Sequence, residues 1–233
     1  MLFPIGDENI QGGHRPLFSY SLLVLNILVF VYQYQMGDQL GTFIQQFGSV
    51  PARIMAGENL LSLFTSIFLH GGLMHLLGNM LFLWIFADNI EAVVGNMRFL
   101  VFYLLGGLVA HAAHIAYDPA STVPTVGASG AIAAVMGAYL VMFPRSRVRV
   151  LFLIFPFYVS AYIFLGLWIY FQIQSGIGSL SLRGEQVVGV AYWAHIGGFV
   201  FGVLFGLYYR AVRKLPPFGK NRMLEDRRQS EYV

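Results

Sequence analysis

Six long apolar runs, separated by polar or basic stretches, constrain this chain more than any other feature. They cover roughly residues 18–35, 67–87, 97–117, 126–143, 148–173 and 188–209. A helix needs about 20 mostly apolar residues to cross a bilayer, and its backbone polar groups must be satisfied within the segment. The runs therefore predict an all-α, polytopic membrane protein: a bundle of six transmembrane helices.

Composition and charge agree with this prediction. The chain is 57% hydrophobic and 11% charged, whereas a soluble domain carries about 25% charged residues. If the N-terminus is cytoplasmic, 12 of the 14 Lys and Arg residues fall on the cytoplasmic side, with Arg53 and Arg183 as the exceptions. Basic residues favour that side, so we predict that both termini are cytoplasmic. The net charge reflects this topology, and no nucleic-acid partner is expected.

The sequence predicts one domain over residues 1–210 and a short, flexible, basic cytoplasmic tail over 211–233, close to anionic lipid. A first external loop is expected at about residues 36–66. The chain has no cysteine, which excludes disulfides and thiolate chemistry. Its first apolar run lacks a cleavage pattern and predicts a retained membrane helix. A short chain without a transit peptide favours a prokaryotic cell membrane, although an organelle membrane is an alternative.

Four polar residues lie within the apolar runs at similar predicted depth: Ser129, His75, Asn79 and His195. Polar side chains in hydrocarbon are costly, so each one is a hypothesis about function. Rows of small residues predict that the fourth and sixth helices approach closely. These rows are Ser129, Ala133 and Gly137 on one helix, and Gly198, Gly202 and Gly206 beyond His195 on the other. Such an approach would bring Ser129 within reach of His195. The alternative is that the small residues serve ordinary helix packing and the serine bonds only its own helix backbone, but the matching histidine favours chemistry.

These residue types suit acyl transfer. A histidine can take the proton of a serine hydroxyl, which makes Ser129 the candidate nucleophile and His195 the candidate base. The Ser129 backbone at a helix N-terminus, with the His75 and Asn79 side chains, could donate to a developing oxyanion. Alternatively, the side chains of His75 and Asn79 could have no role beyond linking neighbouring helices. No carboxylate is well placed, so a dyad is favoured, with Asp118 as a candidate third member.

Three motifs carry a family resemblance: "HGGLMHLLGN", "GASG" and "AHIGG" fall in this order on the second, fourth and sixth predicted helices. Together they resemble the rhomboid intramembrane serine proteases, over most of the chain from Phe64 to Gly206. The resemblance implies a six-helix hydrolase that cleaves membrane proteins within or next to their transmembrane segments. Its partners would be such substrates and the lipid bilayer, without a cofactor or a metal.

The resemblance also implies roles for single residues. Ser129 and His195 match the catalytic pair, and His75 and Asn79 match the oxyanion contributors. The resemblance implies structural roles near the site for His70 and for Glu91, in the loop after the second helix. Apart from the resemblance, Gly127 and Gly130 are expected near the site, where they would leave space for a substrate backbone beside the serine oxygen.

Two departures from the family pattern concern how the site is held. A Trp-Arg pair common in the first external loop is replaced by Leu61 and Ser62, and a tyrosine that packs on the catalytic histidine in some members is replaced by Ala133. The family moves its fifth helix to admit substrate. Here Pro156 interrupts the fifth apolar run, which fits a kinked gate or, alternatively, simple lipid contact.

Two alternatives to a protease remain open from the sequence. One is a non-catalytic rhomboid relative that binds membrane clients, although such relatives usually lack the serine or the histidine. The other is a metal or haem protein, because imidazoles are good ligands for both. The histidines expected in the outer half are His70, His75, His111, His114 and His195.

Overall fold

A computed structural model describes residues 2–7, 15–182 and 189–213. The helices are α1 (Leu17–Gln35), α2 (Leu40–Phe47), α3 (Pro51–Met55), α4 (Ser62–Thr65), α5 (Leu73–Val94), α6 (Asn96–Tyr117), α7 (Ser129–Met142), α8 (Ala161–Gly178) and α9 (Tyr192–Val212). Three strands, β1 (Leu2–Asp7), β2 (Arg147–Phe152) and β3 (Phe155–Ser160), form one antiparallel sheet in that order. Arg183 and residues 214–233 of the predicted tail lie outside the described residues, so the predicted division into domain and tail stays a prediction.

The prediction of a helical membrane bundle is confirmed. Within the described part of the chain, five helices are long and apolar enough to cross a membrane: α1, α5, α6, α8 with its 3₁₀ extension, and α9. The fourth predicted helix also forms, as α7, but has only 14 residues. Such a helix rises about 21 Å, which is less than the roughly 30 Å of a hydrocarbon core.

Hydrogen bonds at both ends show that α1 and α5 run in opposite directions. At one end of the bundle, the Gln33 side chain exchanges two hydrogen bonds with the His70 backbone, at 3.0 and 3.1 Å. At the other end, the backbone N–H of Phe18 donates to Oε1 of Glu91 at 2.8 Å. We call these the histidine end and the strand end, because the sheet packs at the second. The starts of α7 and α9 lie at the histidine end as well, because Ser129 contacts His195 and the loop before α7 passes against His75.

Helix α7 lies at the centre, with nearly every residue buried. Helix α9 crosses it through glycines: a Cβ on Gly198 would collide with the carbonyl oxygen of Gly130, and one on Gly202 with that of Ala134. The predicted close approach of these helices is therefore correct. The row on α7 is different from the predicted one, since Gly130 and Ala134 meet the α9 glycines more closely than Ser129 and Ala133 do.

The fifth predicted helix, from residue 148, begins too early. Residues 147–160 form the β2–β3 hairpin, and α8 starts only at Ala161. The reason is the "RVRV" alternation, in which Val148 and Val150 are buried while the arginines face outward, a period that suits a strand. Pro156 lies in β3 and so does not kink a helix.

Two predicted boundaries around α5 are also wrong. The helix begins at Leu73 because Gly71 and Gly72 interrupt it, with Gly72 fully extended. It continues to Val94, so Glu91 lies within it and not in the following loop. The Glu91 carboxylate accepts from the backbone N–H groups of Phe18 and Ser19 and from the Ser19 hydroxyl. It therefore caps the N-terminus of α1, whose first N–H groups lack partners within the helix.

Candidate active site

Ser129 and His195 come together at the histidine end of the bundle. Ser129 is the first residue of α7 and His195 lies in the first turn of α9. The serine Oγ and the histidine Nε2 are 2.8 Å apart, which is hydrogen-bond distance. Both residues line a cavity of about 1120 Å³ that also borders on His75 and Asn79. A hydroxyl, an imidazole and space for a ligand thus occur in one place.

The other ring nitrogen of His195 also has a partner. Its Nδ1 lies 2.8 Å from Oε1 of Gln172, a residue of α8. Trp168, one turn earlier on α8, packs its ring against the imidazole with centroids 5.8 Å apart. Asp118, the candidate third member, ends α6 and does not occupy this position. Gln172 was not predicted from the sequence, although a glutamine within an apolar span is a signal of the same kind as His195.

His75 faces the serine from α5. Its Nδ1 accepts a hydrogen bond from the backbone N–H of Gly71 at 3.3 Å, so in the neutral ring the proton is on Nε2. The loop before α7 passes very close to this nitrogen. Gly127 has φ +129°, and a Cβ there would lie 2.8 Å from Nε2 of His75. Only glycine combines that backbone conformation with that approach, which places the Nε2–H group beside the start of α7.

Asn79 lies one turn deeper on α5 and is buried. Its side-chain Nδ2 has no hydrogen-bond partner within the described part of the chain. The residue lines the cavity. A buried donor without a partner is costly unless a ligand or water completes it, so this amide is available to a group that enters the cavity.

The residues expected to be structural differ in position. His70 precedes α5 and is buried, with its ring at 5.3 Å from that of His75. Burial, together with the neighbouring His75, lowers the pKa of His70 to about 4, so it is neutral at pH 7. A Cβ on Gly130 would collide with Ala110 of α6, so this glycine serves helix packing. Glu91 is not near the site, since 12 residues of helix separate it from Asn79, or about 18 Å.

The remaining histidines of the bundle form separate contacts. The Nε2 of His111 lies 2.9 Å from Oγ of Ser66, and both residues are buried. His114 packs on Tyr117. Among residues 2–7, 15–182 and 189–213, no three His, Cys, Asp or Glu side chains are close enough together to hold one metal ion.

Comparison with known proteins gives a consistent result. A family model described as the Rhomboid domain matches residues 57–212, which is more than half of the 233 residues. The human presenilin-associated rhomboid-like protein, mitochondrial, is 28% identical over 208 residues, covering 86% of this chain and 50% of the relative. The mitochondrial rhomboid protein 1 of Saccharomyces cerevisiae is 28% identical over 209 residues, covering 86% and 56%.

A bacterial relative is similar over a shorter region. The rhomboid protease GluP of Bacillus subtilis is 35% identical over 131 residues, covering 56% of this chain and 25% of the relative. The chain thus spans about half the length of the mitochondrial relatives it matches and a quarter of the bacterial one. The mitochondrial relatives do not fit the predicted prokaryotic membrane. The prediction of a multi-pass membrane protein is supported by the five apolar helices of spanning length in the described chain.

Proposed function

The chain belongs to the rhomboid family, and from that premise we propose that it is an intramembrane serine endopeptidase in which Ser129 is the nucleophile and His195 the general base. The observation that carries the proposal is the 2.8 Å contact between Oγ and Nε2 inside a cavity large enough for an extended peptide segment. Family membership supports protease-type chemistry, and this contact supplies the specific pair.

The reaction follows from the two side chains. Nε2 of His195 takes the proton of the Ser129 hydroxyl while Oγ bonds to the scissile carbonyl carbon. The imidazolium then gives this proton to the leaving amine as the C–N bond breaks. Water, deprotonated by the same histidine, hydrolyses the acyl-enzyme and regenerates the serine. A dyad suffices for these transfers, since one base serves both steps.

Three donors are suited to the oxyanion. His75 presents an Nε2–H group because its Nδ1 accepts from Gly71. Asn79 contributes an Nδ2 group that lacks a partner in the described chain. The backbone N–H of Ser129 is one of the free N–H groups at the start of α7, where the helix dipole is positive. Donors that are oriented before reaction stabilise the charge without reorganisation.

The substrates are membrane proteins with a transmembrane segment, cleaved near the outer face. The arrangement of basic residues supports cytoplasmic termini, and the histidine end then opens to the outer side. A prokaryotic cell membrane fits the bacterial relative and not the mitochondrial ones. A non-catalytic client-binding role is the second candidate, and the presence of both Ser129 and His195 disfavours it.

The test is cleavage of a single-span model substrate by the full chain in liposomes. Ser129→Ala and His195→Ala should each reduce cleavage to the uncatalysed background, while both variants stay folded and inserted. Ser21→Ala is the matched control, because that hydroxyl is exposed and bonds only within its own helix. Cleavage by either site variant at the wild-type rate would refute the dyad, and an inactive wild type would favour the client-binding role.

A further inference from the structure

We propose that Gln172 is a positioning residue: its amide oxygen accepts the Nδ1 proton of His195 and thereby holds the imidazole in the tautomer and orientation that act on Ser129. The inference rests on the proposed function, and it assigns to α8 a part of the site that the sequence motifs do not include.

The geometry makes the two ring nitrogens interdependent. A neutral imidazole carries one proton, on either Nδ1 or Nε2. Oε1 of Gln172 is an acceptor at 2.8 Å from Nδ1, so the proton is held on Nδ1. Nε2 is then left with a free lone pair at 2.8 Å from the Ser129 hydroxyl. In the opposite tautomer Nε2 would be a donor and could not take the serine proton.

No other described contact can do this. Ala133, at the position from which some relatives pack a tyrosine on the histidine, is fully buried and has only a methyl group. The second contact to the ring is Trp168, which restrains the ring plane but offers its face and not a hydrogen-bond acceptor. Trp168 and Gln172 are four residues apart and thus on one face of α8. Both contacts that restrain the His195 ring, the hydrogen bond and the aromatic packing, therefore come from α8.

An amide suits this position better than a carboxylate does. Soluble serine proteases orient the histidine with a buried aspartate. A carboxylate within a membrane-spanning segment would carry the cost of desolvating a charge. The glutamine oxygen accepts the same proton without that charge. Gln172 is absent from the residues that line the cavity in the described chain, so its effect reaches the substrate through His195 alone.

The chain offers a matched control two residues away. Gln174 is on the same helix but is exposed, and two residues correspond to about 200° around a helix. Gln174→Leu removes an equal amide from α8 without touching His195. Gln172→Leu removes the acceptor at similar volume, and Gln172→Glu keeps an acceptor oxygen at the same reach.

The experiment combines kinetics with a direct view of the tautomer, using the full chain in lipid nanodiscs. We expect Gln172→Leu to lower kcat at least about tenfold, the effect of losing one hydrogen bond at the base, with unchanged KM. Gln174→Leu should match the wild type, and Gln172→Glu should recover part of the loss, because it keeps the acceptor oxygen but adds a charge that must be desolvated. Nitrogen-15 NMR of labelled histidine should show protonated Nδ1 for His195 in the wild type and in Gln174→Leu, and a tautomer mixture in Gln172→Leu.

The outcomes separate this inference from the proposed function. A wild type that cleaves, with unchanged kcat in Gln172→Leu, would overturn the positioning role. So would a wild-type spectrum with the proton on Nε2 of His195, a result that stands even if Gln172→Leu fails to fold. If the wild type is inactive but its His195 Nδ1–H signal depends on Gln172, the contact between the two residues is supported and the proposed protease function is refuted.

Discussion

Two serine–histidine pairs of nearly equal length occur in the described part of the bundle. Ser129 and His195 are 2.8 Å apart, and Ser66 and His111 are 2.9 Å apart. Distance alone would make both pairs candidate dyads. Their surroundings differ, and those surroundings identify the pair that can do chemistry.

The Ser129 pair has three features that the Ser66 pair lacks in the described chain. Ser129 lines the cavity, whereas Ser66 has no exposed surface and only its partner His111 belongs to the lining. Ser129 begins a 14-residue helix with free N–H groups, whereas Ser66 begins a 3₁₀ turn of three residues. The Nδ1 of His195 bonds to Gln172, whereas the Nδ1 of His111 has no partner in the part described.

The same serine–histidine hydrogen bond has different consequences at the two positions. At Ser66 the bond satisfies two buried polar groups, and the backbone oxygen of the same residue accepts from Gly127 at 2.9 Å. This pair therefore braces the loop that leads into α7. At Ser129 the same bond leaves a hydroxyl facing open space beside donors that lack partners.

The largest expected difference between the pairs is reaction with a fluorophosphonate. We expect the probe to form a covalent adduct with Ser129 and none with Ser66, because only Ser129 is reachable and only there is the phosphoryl oxygen stabilised. Mass spectrometry of the labelled peptides measures this. An adduct on Ser66 would remove the distinction drawn between the two pairs.

The second-largest effect on activity should come from removing one oxyanion donor. Asn79→Ala should lower kcat by about 10²- to 10³-fold, the usual effect of losing such a donor, while the adduct site stays Ser129. Asn26→Ala is the control: that asparagine is also buried in a spanning helix but bonds to the backbone of Leu22. Equal losses of kcat in both variants would show that Asn79 acts only through stability.

Displacing α9 should separate one pair and leave the other in place. Gly198→Ala puts a methyl group against the carbonyl oxygen of Gly130, so α9 must move away from α7 and carry His195 with it. A misplacement of about 1 Å can reduce the rate about 10²-fold. Gly166→Ala on α8 has no heavy atom within 4 Å of the added carbon and should leave kcat/KM unchanged. Unaltered activity in Gly198→Ala would contradict the tight crossing.

The smallest effect should come from Ser66→Ala, and it should fall on stability. The substitution leaves the buried Nε2 of His111 without its hydroxyl partner, which costs about 1–3 kcal/mol. Equilibrium unfolding in detergent measures this loss, and kcat per folded molecule should be unchanged. Ser129→Ala should destabilise less, because the cavity admits water to His195. A fall in kcat for Ser66→Ala comparable to that of Ser129→Ala would contradict the bracing role.

Apolar runs and spaced polar residues were sufficient to predict the bundle and the four residues around the cavity. Helix periodicity and the cost of polar groups in lipid determine both features locally. The hairpin before α8 was missed because its residues are as apolar as those of a helix. Only the alternation around Val148 and Val150 distinguishes it, and the pairing with β1 depends on a segment more than 140 residues away.

The partners of single side chains could not be predicted in the same way. Gln172 meets His195 through the way α8 packs on α9, a contact between residues 23 positions apart in the chain. Glu91 reaches the start of α1 from the far end of α5, across 72 and 73 positions. Such contacts depend on helix rotation and crossing angle, which one sequence leaves undetermined.

The shortness of α7 sets the depth at which Ser129 lies. If Met142 is at one boundary of the hydrocarbon, a rise of about 21 Å leaves Ser129 roughly 9 Å below the opposite boundary. The chain before Ser129 is then irregular backbone at membrane depth, which is tolerated only where it is buried in protein or lines a wet cavity. Because the central helix is short, less hydrocarbon separates Ser129 from the aqueous phase. Water, the second reactant of any hydrolysis, can then reach a peptide bond at membrane depth without crossing hydrocarbon.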